Sequence, residues 1–292
     1  MEELVSVIVP AYNEGEKIAK CLQSVINQTH KNLEVIVVYK DSQDDTLSEI
    51  KSINDSRIKI IEQKEATKVG GARNLGIKES KGDFISFIEC EMIEPQFIEK
   101  LYSRIVKDNS DIAIGTITLL KPGIVCNLTK HKKDIVLSKL ADKLEEMQTG
   151  ACFEKLFRAK MIKENNVLFP EGLYWEDNAF LLQAIYYSNK ISLLTNCNYT
   201  WYPQDWDEDY SVLLKESILP IAKIMTNFAK EKSFSRKEMN ILRLKMFKNF
   251  GKSFILKDDI YKQFVKITGF SWSVAYRYWQ MRKREWRKKI CS

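Results

Sequence analysis

Residues Val5-Ser6-Val7-Ile8-Val9 form a short, β-branched, mostly apolar run, the pattern of a strand covered on both faces. Pro10 cannot donate to a central ladder, so the strand is expected to stop there. Ile18, Leu22, Val25 and Ile26 then recur at helical spacing, and Glu34–Val38 is a second buried-strand run. Strand, sharp turn, helix and strand within about forty residues make a βαβ unit, which implies a parallel sheet. Such sheets bind ligands beyond the carboxyl ends of their strands. That edge holds Pro10-Ala11-Tyr12-Asn13-Glu14, the first place to look for a site.

The same alternation continues. Ile58–Ile61, Phe84–Ile88 and Asp111–Ile114 read as strands, with helices at Asp44–Ile53, Lys68–Ser80 and Pro95–Asp108 between them. Lys121-Pro122-Gly123 marks a turn, and Lys130–Lys133 a polar, mobile stretch. Phe153–Asn165 and Glu176–Ser188 favour helix, and Ile191–Leu194 and Tyr199–Tyr202 short strands. Beyond 211 strand signals nearly vanish, and 211–231, 235–250, 258–267 and 272–289 favour helix. The expected organisation is an α/β domain over 1–210 and a helical region over 211–292.

Composition narrows the partners. The 292 residues hold six cysteines (21, 90, 126, 152, 197 and 291) without a Cys-x-x-Cys pair, so free thiols in a cytoplasmic setting are expected, and neither disulfides nor a structural zinc. No apolar run is long enough to span a bilayer, and Glu2 and Glu3 stand where a signal peptide would be basic. His30 and His131, the two histidines, are expected at the surface. The net charge is +7, but residues 277–292 carry seven Lys or Arg and one acid, so the body is nearly neutral. A nucleic-acid-binding face is therefore not expected.

Five blocks occur in series: Val5–Glu14, Glu34–Val38, Gly71-Ala72-Arg73-Asn74-Leu75-Gly76-Ile77, Gly82–Phe87 and Phe169-Pro170-Glu171-Gly172-Leu173-Tyr174-Trp175-Glu176-Asp177. In this order and spacing the chain resembles glycosyltransferase family 2, inverting enzymes of the GT-A fold, from residue 4 to about 200. The resemblance implies that Pro10, Ala11, Tyr12 and Glu14 lie against the base and ribose of a nucleotide-diphospho-sugar. It places Arg73 and Asn74 beside the diphosphate, where an Arg is a bidentate donor. It makes Asp177 the general base, with Glu176 orienting it. As a structural alternative, Asp177 caps the helix that follows.

The chain also departs from the family. Where most relatives have Asp-Asp-Gly-Ser-x-Asp, it has Tyr39-Lys40-Asp41-Ser42-Gln43-Asp44. An ammonium only donates, so Lys40 cannot accept from a uracil imide. Either Asp41 substitutes, or the base is not uracil, or Lys40 reaches a base carbonyl or phosphate, or Lys40 is a solvated loop lysine. The family's Asp-x-Asp is Glu89-Cys90-Glu91, whose two carboxylates are expected to hold one Mn²⁺ or Mg²⁺. The His or Arg that commonly follows the last strand is missing from Pro203–Asp209. That acidic, Trp-containing loop is either an acceptor contact or a solvated loop.

The resemblance thus implies a metal-dependent hexosyl transfer from a UDP-sugar to a glycan or lipid-linked acceptor, in bacterial surface polysaccharide synthesis. The departures motivate a rival: a degenerate homologue that binds a nucleotide sugar or a partner without turnover. Trp272, Trp279 and Trp286, one heptad apart with Tyr276 close to their face and cations around them, suggest a basic amphipathic helix lying on an anionic membrane, at its inner leaflet; the alternatives are a helix packed on the catalytic domain with a solvated basic face, and a basic tail that binds RNA.

Overall fold

The computed structural model describes residues 2–65, 67–129, 132–146, 150–202, 208–254 and 258–279, with side chains excepted at 208–215 and 251–260. The first half is the expected βαβ succession. It runs β1 (Val5–Ala11), α1 (Gly15–Ile26), β2 (Leu33–Tyr39), α2 (Thr46–Ser52), β3 (Ile58–Glu62), α3 (Lys68–Glu79), β4 (Phe84–Phe87) and α4 (Phe97–Lys107). β1 pairs in parallel with both β2 and β4, and β2 with β3. In β1, Val5, Val7 and Val9 pack on one face against α1 and α4, while Ile8 packs on the other with Ile36, Ile85 and Phe87.

β1 runs past Pro10 to Ala11, two residues beyond the sequence expectation. β4 pairs only with Val5–Ile8, so the proline faces a side where the ladder has ended. Its missing N–H therefore costs no hydrogen bond. The Pro10 carbonyl, on that side, accepts from the Cys90 thiol at 3.3 Å.

The second half adds β5 (Ile112–Lys121), β7 (Ile135–Leu137), β8 (Lys155–Arg158) and β9 (Ile191–Trp201) and completes a mixed α/β sheet in the order β3-β2-β1-β4-β8-β5-β9-β7. β5 turns at Pro122-Gly123 into β6 (Ile124–Asn127), as expected from the Lys-Pro-Gly signal. α5 (Leu140–Glu145) follows β7, and α6 (Ala159–Glu164) and α7 (Glu176–Tyr187) lie between β8 and β9 in the chain. The helix expected at Phe153–Asn165 is half wrong. Lys155, Leu156 and Phe157 fill the gap between β4 and β5 as an antiparallel strand, and only Ala159–Glu164 is helical. A short buried apolar run has the same pattern in either state, and pairing on both edges decides for strand.

The two short strands expected at 191–202 are one strand, broken in register. Its partner positions jump from Ile114↔Leu193 to Thr116↔Asn198 around Gly115. A Cβ on Gly115 would meet the Cys197 carbonyl at 2.5 Å, so no larger residue fits the irregularity.

The C-terminal helices are α8 (Glu208–Glu231), α9 (Arg236–Phe254) and α10 (Asp258–Thr268), with a further helical turn pair at residues 272–279. Ile221, Met225, Phe247 and Phe250 join the same apolar cluster as Ile85, Phe87 and Phe180. The helical region therefore shares one core with the sheet. Against expectation, His30 is fully buried: its ring lies 4.6 Å from that of Tyr102, and its Nε2 is 3.1 Å from the Glu3 carbonyl. Five of the six cysteines are described, all as free thiols. His131, residues 203–207 and Trp286 lie outside the described residues, as does part of Lys130–Lys133.

Candidate active site

The turn after β1 and the turn after β2 are fastened to each other. Asn13 N–H donates to Ser42 Oγ at 3.1 Å, and Gln43 N–H returns a bond to Asn13 Oδ1 at 3.0 Å. Glu14 and Gly15 N–H both donate to Thr46 Oγ1, at 2.8 and 3.0 Å. The clasp brings Lys40 over the Tyr12 ring, Nζ to centroid 5.1 Å, with Tyr12 half exposed. Lys40 thus sits against an aromatic face, a cation–π arrangement, and Asp41 beside it is exposed. Burial pushes Glu14 up to about 7, with Lys17 opposing and Glu89 and Asp44 adding to it.

Arg73, almost wholly buried in α3, is the centre of the site. Its guanidinium forms ion pairs with Glu89, at the end of β4, and with Glu176, at the start of α7. Its plane also lies 5.1 Å from the Phe169 ring centre. One permanently charged, forked donor therefore ties together three segments far apart in sequence. Gly70 makes this approach possible. A Cβ there would stand 2.7 Å from the Pro170 carbonyl and 3.1 Å from Glu176 Cγ. Asn74 is committed to the same segment: its amide donates to the Phe169 carbonyl at 2.9 Å and accepts from the Phe169 N–H at 2.8 Å.

The two acids of the Glu-Cys-Glu block are held differently. Tyr199, buried on β9, donates to Glu91 Oε2 at 2.6 Å and accepts from the Glu89 N–H at 3.3 Å. Burial raises Glu91 to about 8, Glu89 adding to the shift and Tyr199 opposing it. Cys90 between them has φ of 56°, and Trp175, just before Glu176, has φ of 64°. Left-handed backbone is costly for such residues, on the order of 1–3 kcal/mol each, and concentrates at functional sites.

Asp177 follows at the start of α7. Burial pushes its carboxyl well above the carboxylate range, with Glu176 and Glu89 adding to the rise and Arg73, whose ion pairs are with Glu176 and Glu89, opposing it. Asn178 Nδ2 donates to Asp177 Oδ1 at 3.1 Å, and Asn249 of α9 donates to Asn178 Oδ1 at 2.8 Å. Cys152, fully buried, lies in the field of the same charges, and burial holds it as a neutral thiol. Tyr199, Asn178, Asn249 and Cys152 carried no signal in the sequence, since the register shift and helix packing bring them in.

Among the described residues no three His, Cys, Asp or Glu side chains are gathered to form a complete metal site. Two glutamates, one of them pushed toward neutrality by burial and then by the other, nevertheless fit a divalent cation whose remaining ligands are waters and substrate phosphates.

Residues 6–164, over half the chain, match the glycosyl transferase family 2 domain. The chain belongs to glycosyl transferase family 2. Among relatives, it is 30% identical over 217 residues to glycosyltransferase GlyA of Streptococcus pneumoniae, covering 69% of this chain but 31% of GlyA. It is 29% identical over 197 residues to the Escherichia coli UDP-Glc:alpha-D-GlcNAc-diphosphoundecaprenol beta-1,3-glucosyltransferase WfgD, covering 67% of this chain and 74% of WfgD. The fold matches Staphylococcus aureus TarS 1-349 in complex with UDP-GlcNAc, at TM-score 0.72, 21% identity and coverage of 90% of this chain and 79% of TarS. The family resemblance and the GT-A fold expected from the sequence are thus both borne out.

Proposed function

We propose that the protein is an inverting hexosyltransferase that moves a sugar from a UDP-sugar to a hydroxyl of a glycan or lipid-linked acceptor in surface polysaccharide assembly. The reading rests on one observation: Arg73 joins the Glu89 end of β4 to the Glu176-Asp177 start of α7 at the ligand edge of the sheet. It draws support from the family and from relatives such as WfgD, named for a UDP-glucose donor and a diphosphoundecaprenol acceptor.

Asp177 accepts the acceptor's hydroxyl proton while that oxygen attacks the anomeric carbon. The bond from that carbon to the diphosphate oxygen breaks on the opposite side, which inverts the centre. Asn178 aims the carboxylate, and Glu176, fixed by Arg73, sets the start of the helix that carries it. Tyr12 offers a flat face to the base, and Lys40 beside it supplies a donor to a base carbonyl or phosphate. Asn74 acts at one remove in this scheme, by holding the Phe169 backbone. Glu89 and Glu91 would hold Mn²⁺ or Mg²⁺, which when bound offsets charge on the leaving diphosphate.

The test is donor turnover with UDP-, GDP-, CDP- and dTDP-sugars, with and without Mn²⁺, for the protein and for Asp177→Asn. The expected result is Mn²⁺-dependent release of UDP that Asp177→Asn lowers by about 10²- to 10⁴-fold while nucleotide binding persists. Full activity in Asp177→Asn would refute the assignment of the base. Nucleotide binding without turnover on any acceptor extract would favour the non-catalytic rival.

A further inference from the structure

The helical stretch 272–279 presents two contrasting faces. Val274 is buried, and Tyr278 stacks on Tyr261 of α10 at 3.8 Å between ring centres. These contacts seat the stretch on the C-terminal helices. The preceding turn is fastened as well: Arg243 of α9 donates from Nε to the Thr268 carbonyl at 2.6 Å. The other face carries Trp272, Tyr276 and Trp279, with exposures of 80%, 59% and 55%, and Phe270 at its head is 55% exposed. The spacing i, i+4, i+7 puts the three helical rings in one stripe. Phe270 and Trp272 meet edge to face at 5.0 Å, and Tyr276 and Trp279 stack at 6.1 Å. Four large aromatics gathered outward on a well-anchored support are not scattered surface residues, and such patches mark interaction sites.

Cations border the stripe. A shallow cavity of about 530 Å³ lies alongside, lined by Arg236, Lys237, Asn240, Ile241 and Leu244 of α9 and by Ser273, next to Trp272 on the short helix. Arg277 is exposed on the same short helix. The sequence from 280 to 292 adds six Lys or Arg against one Glu. Among the described residues no helix is long and apolar enough to cross a membrane.

We infer that this stripe and its flanking cations dock on an anionic phospholipid bilayer. The rings sit at headgroup depth, and Arg236, Lys237 and Arg277 meet the lipid phosphates. Trp and Tyr suit that depth because each has an apolar body and a polar tip. The charge selects this occupant over a second copy of the chain. A symmetric dimer through the stripe would bring two strongly cationic segments together, whereas an anionic surface attracts both signals at once. The inference stands on the patch alone and does not depend on the proposed transfer reaction.

The test is co-sedimentation of the full chain with vesicles of phosphatidylcholine plus phosphatidylglycerol, and with vesicles of phosphatidylcholine alone, at low and high salt. Trp272→Ala/Tyr276→Ala and Arg236→Glu/Lys237→Glu are the variants, with melting curves as the check that they fold. Binding is expected to the anionic vesicles only, to be released by salt, and to fall about tenfold in each variant. Absence of binding to anionic vesicles would overturn the inference. So would wild-type binding by both variants, which would assign any affinity to the tail alone. Salt-independent self-association abolished by the aromatic variant would also overturn it and make the patch a dimer contact. None of these readouts requires turnover, so failure here is distinguishable from failure of the transferase reading.

Discussion

The chemistry of the site depends on which carboxyl Arg73 does not hold. Its fork serves Glu89 and Glu176, so Asp177 has no ion-pair partner among the described residues, and burial raises it against the opposing field of Arg73. A raised carboxyl is a stronger base once ionised, but a smaller fraction is ionised at neutral pH. The Asn178 backbone N–H works against that rise, because a hydrogen bond to the charged form favours it, and the side-chain amide donates to the same carboxyl. Asn178→Ala removes the side-chain donor while keeping the backbone N–H and the residue's helical position. The ascending limb of the pH–rate profile should then move to higher pH, and the rate at neutral pH should fall by roughly tenfold, the worth of one hydrogen bond to a charged group. A profile that keeps its position while only the melting temperature drops would make Asn178 purely structural.

At the scale of elements, α3 is the part whose fit decides the geometry. It lies against the 169–176 segment so closely that Gly70 has no room for a methyl group. Gly70→Ala should push α3 off the Pro170 carbonyl and Glu176, displacing Arg73 from one of its two partners. Overpacking of this kind costs about 1–3 kcal/mol, so the protein should fold, melt a few degrees lower and lose most of its turnover. Unchanged turnover would show that the Arg73 clamp tolerates a shift.

The five sequence blocks were legible because each is a strand end or helix start with its own local signal. Arg73, Glu89 and Glu176-Asp177 could be named that way, though not their ion pairs. Tyr199 reaches the glutamates only through the register jump opposite Gly115, and Asn249 reaches Asn178 only because α9, packed on α5 and α8, passes beside the start of α7. The helix mistaken at 153–158 has the same origin: its state is set by strands at 84–87 and 112–121. Pairing over such distances leaves no trace in a local pattern.

For the whole molecule, the site gathers carboxyl groups whose ionisation burial opposes. Glu14 and Glu91 titrate near 7 and 8, against an ordinary 4.5. Between those limits the folded chain binds more protons than the unfolded one, so the stability these two groups contribute is greatest below about pH 4.5, declines as pH rises, and levels off above about pH 8. A divalent cation held by Glu89 and ionised Glu91 should reverse the Glu91 share of this loss, since it competes with the proton that neutralises Glu91. Melting temperature with Mn²⁺ and UDP should therefore rise more at about pH 9 than at about pH 6, and the difference should shrink in Glu91→Gln. An equal Mn²⁺ shift at both values, unaffected by Glu91→Gln, would place the ion away from the end of β4 and require another explanation for the two acids there.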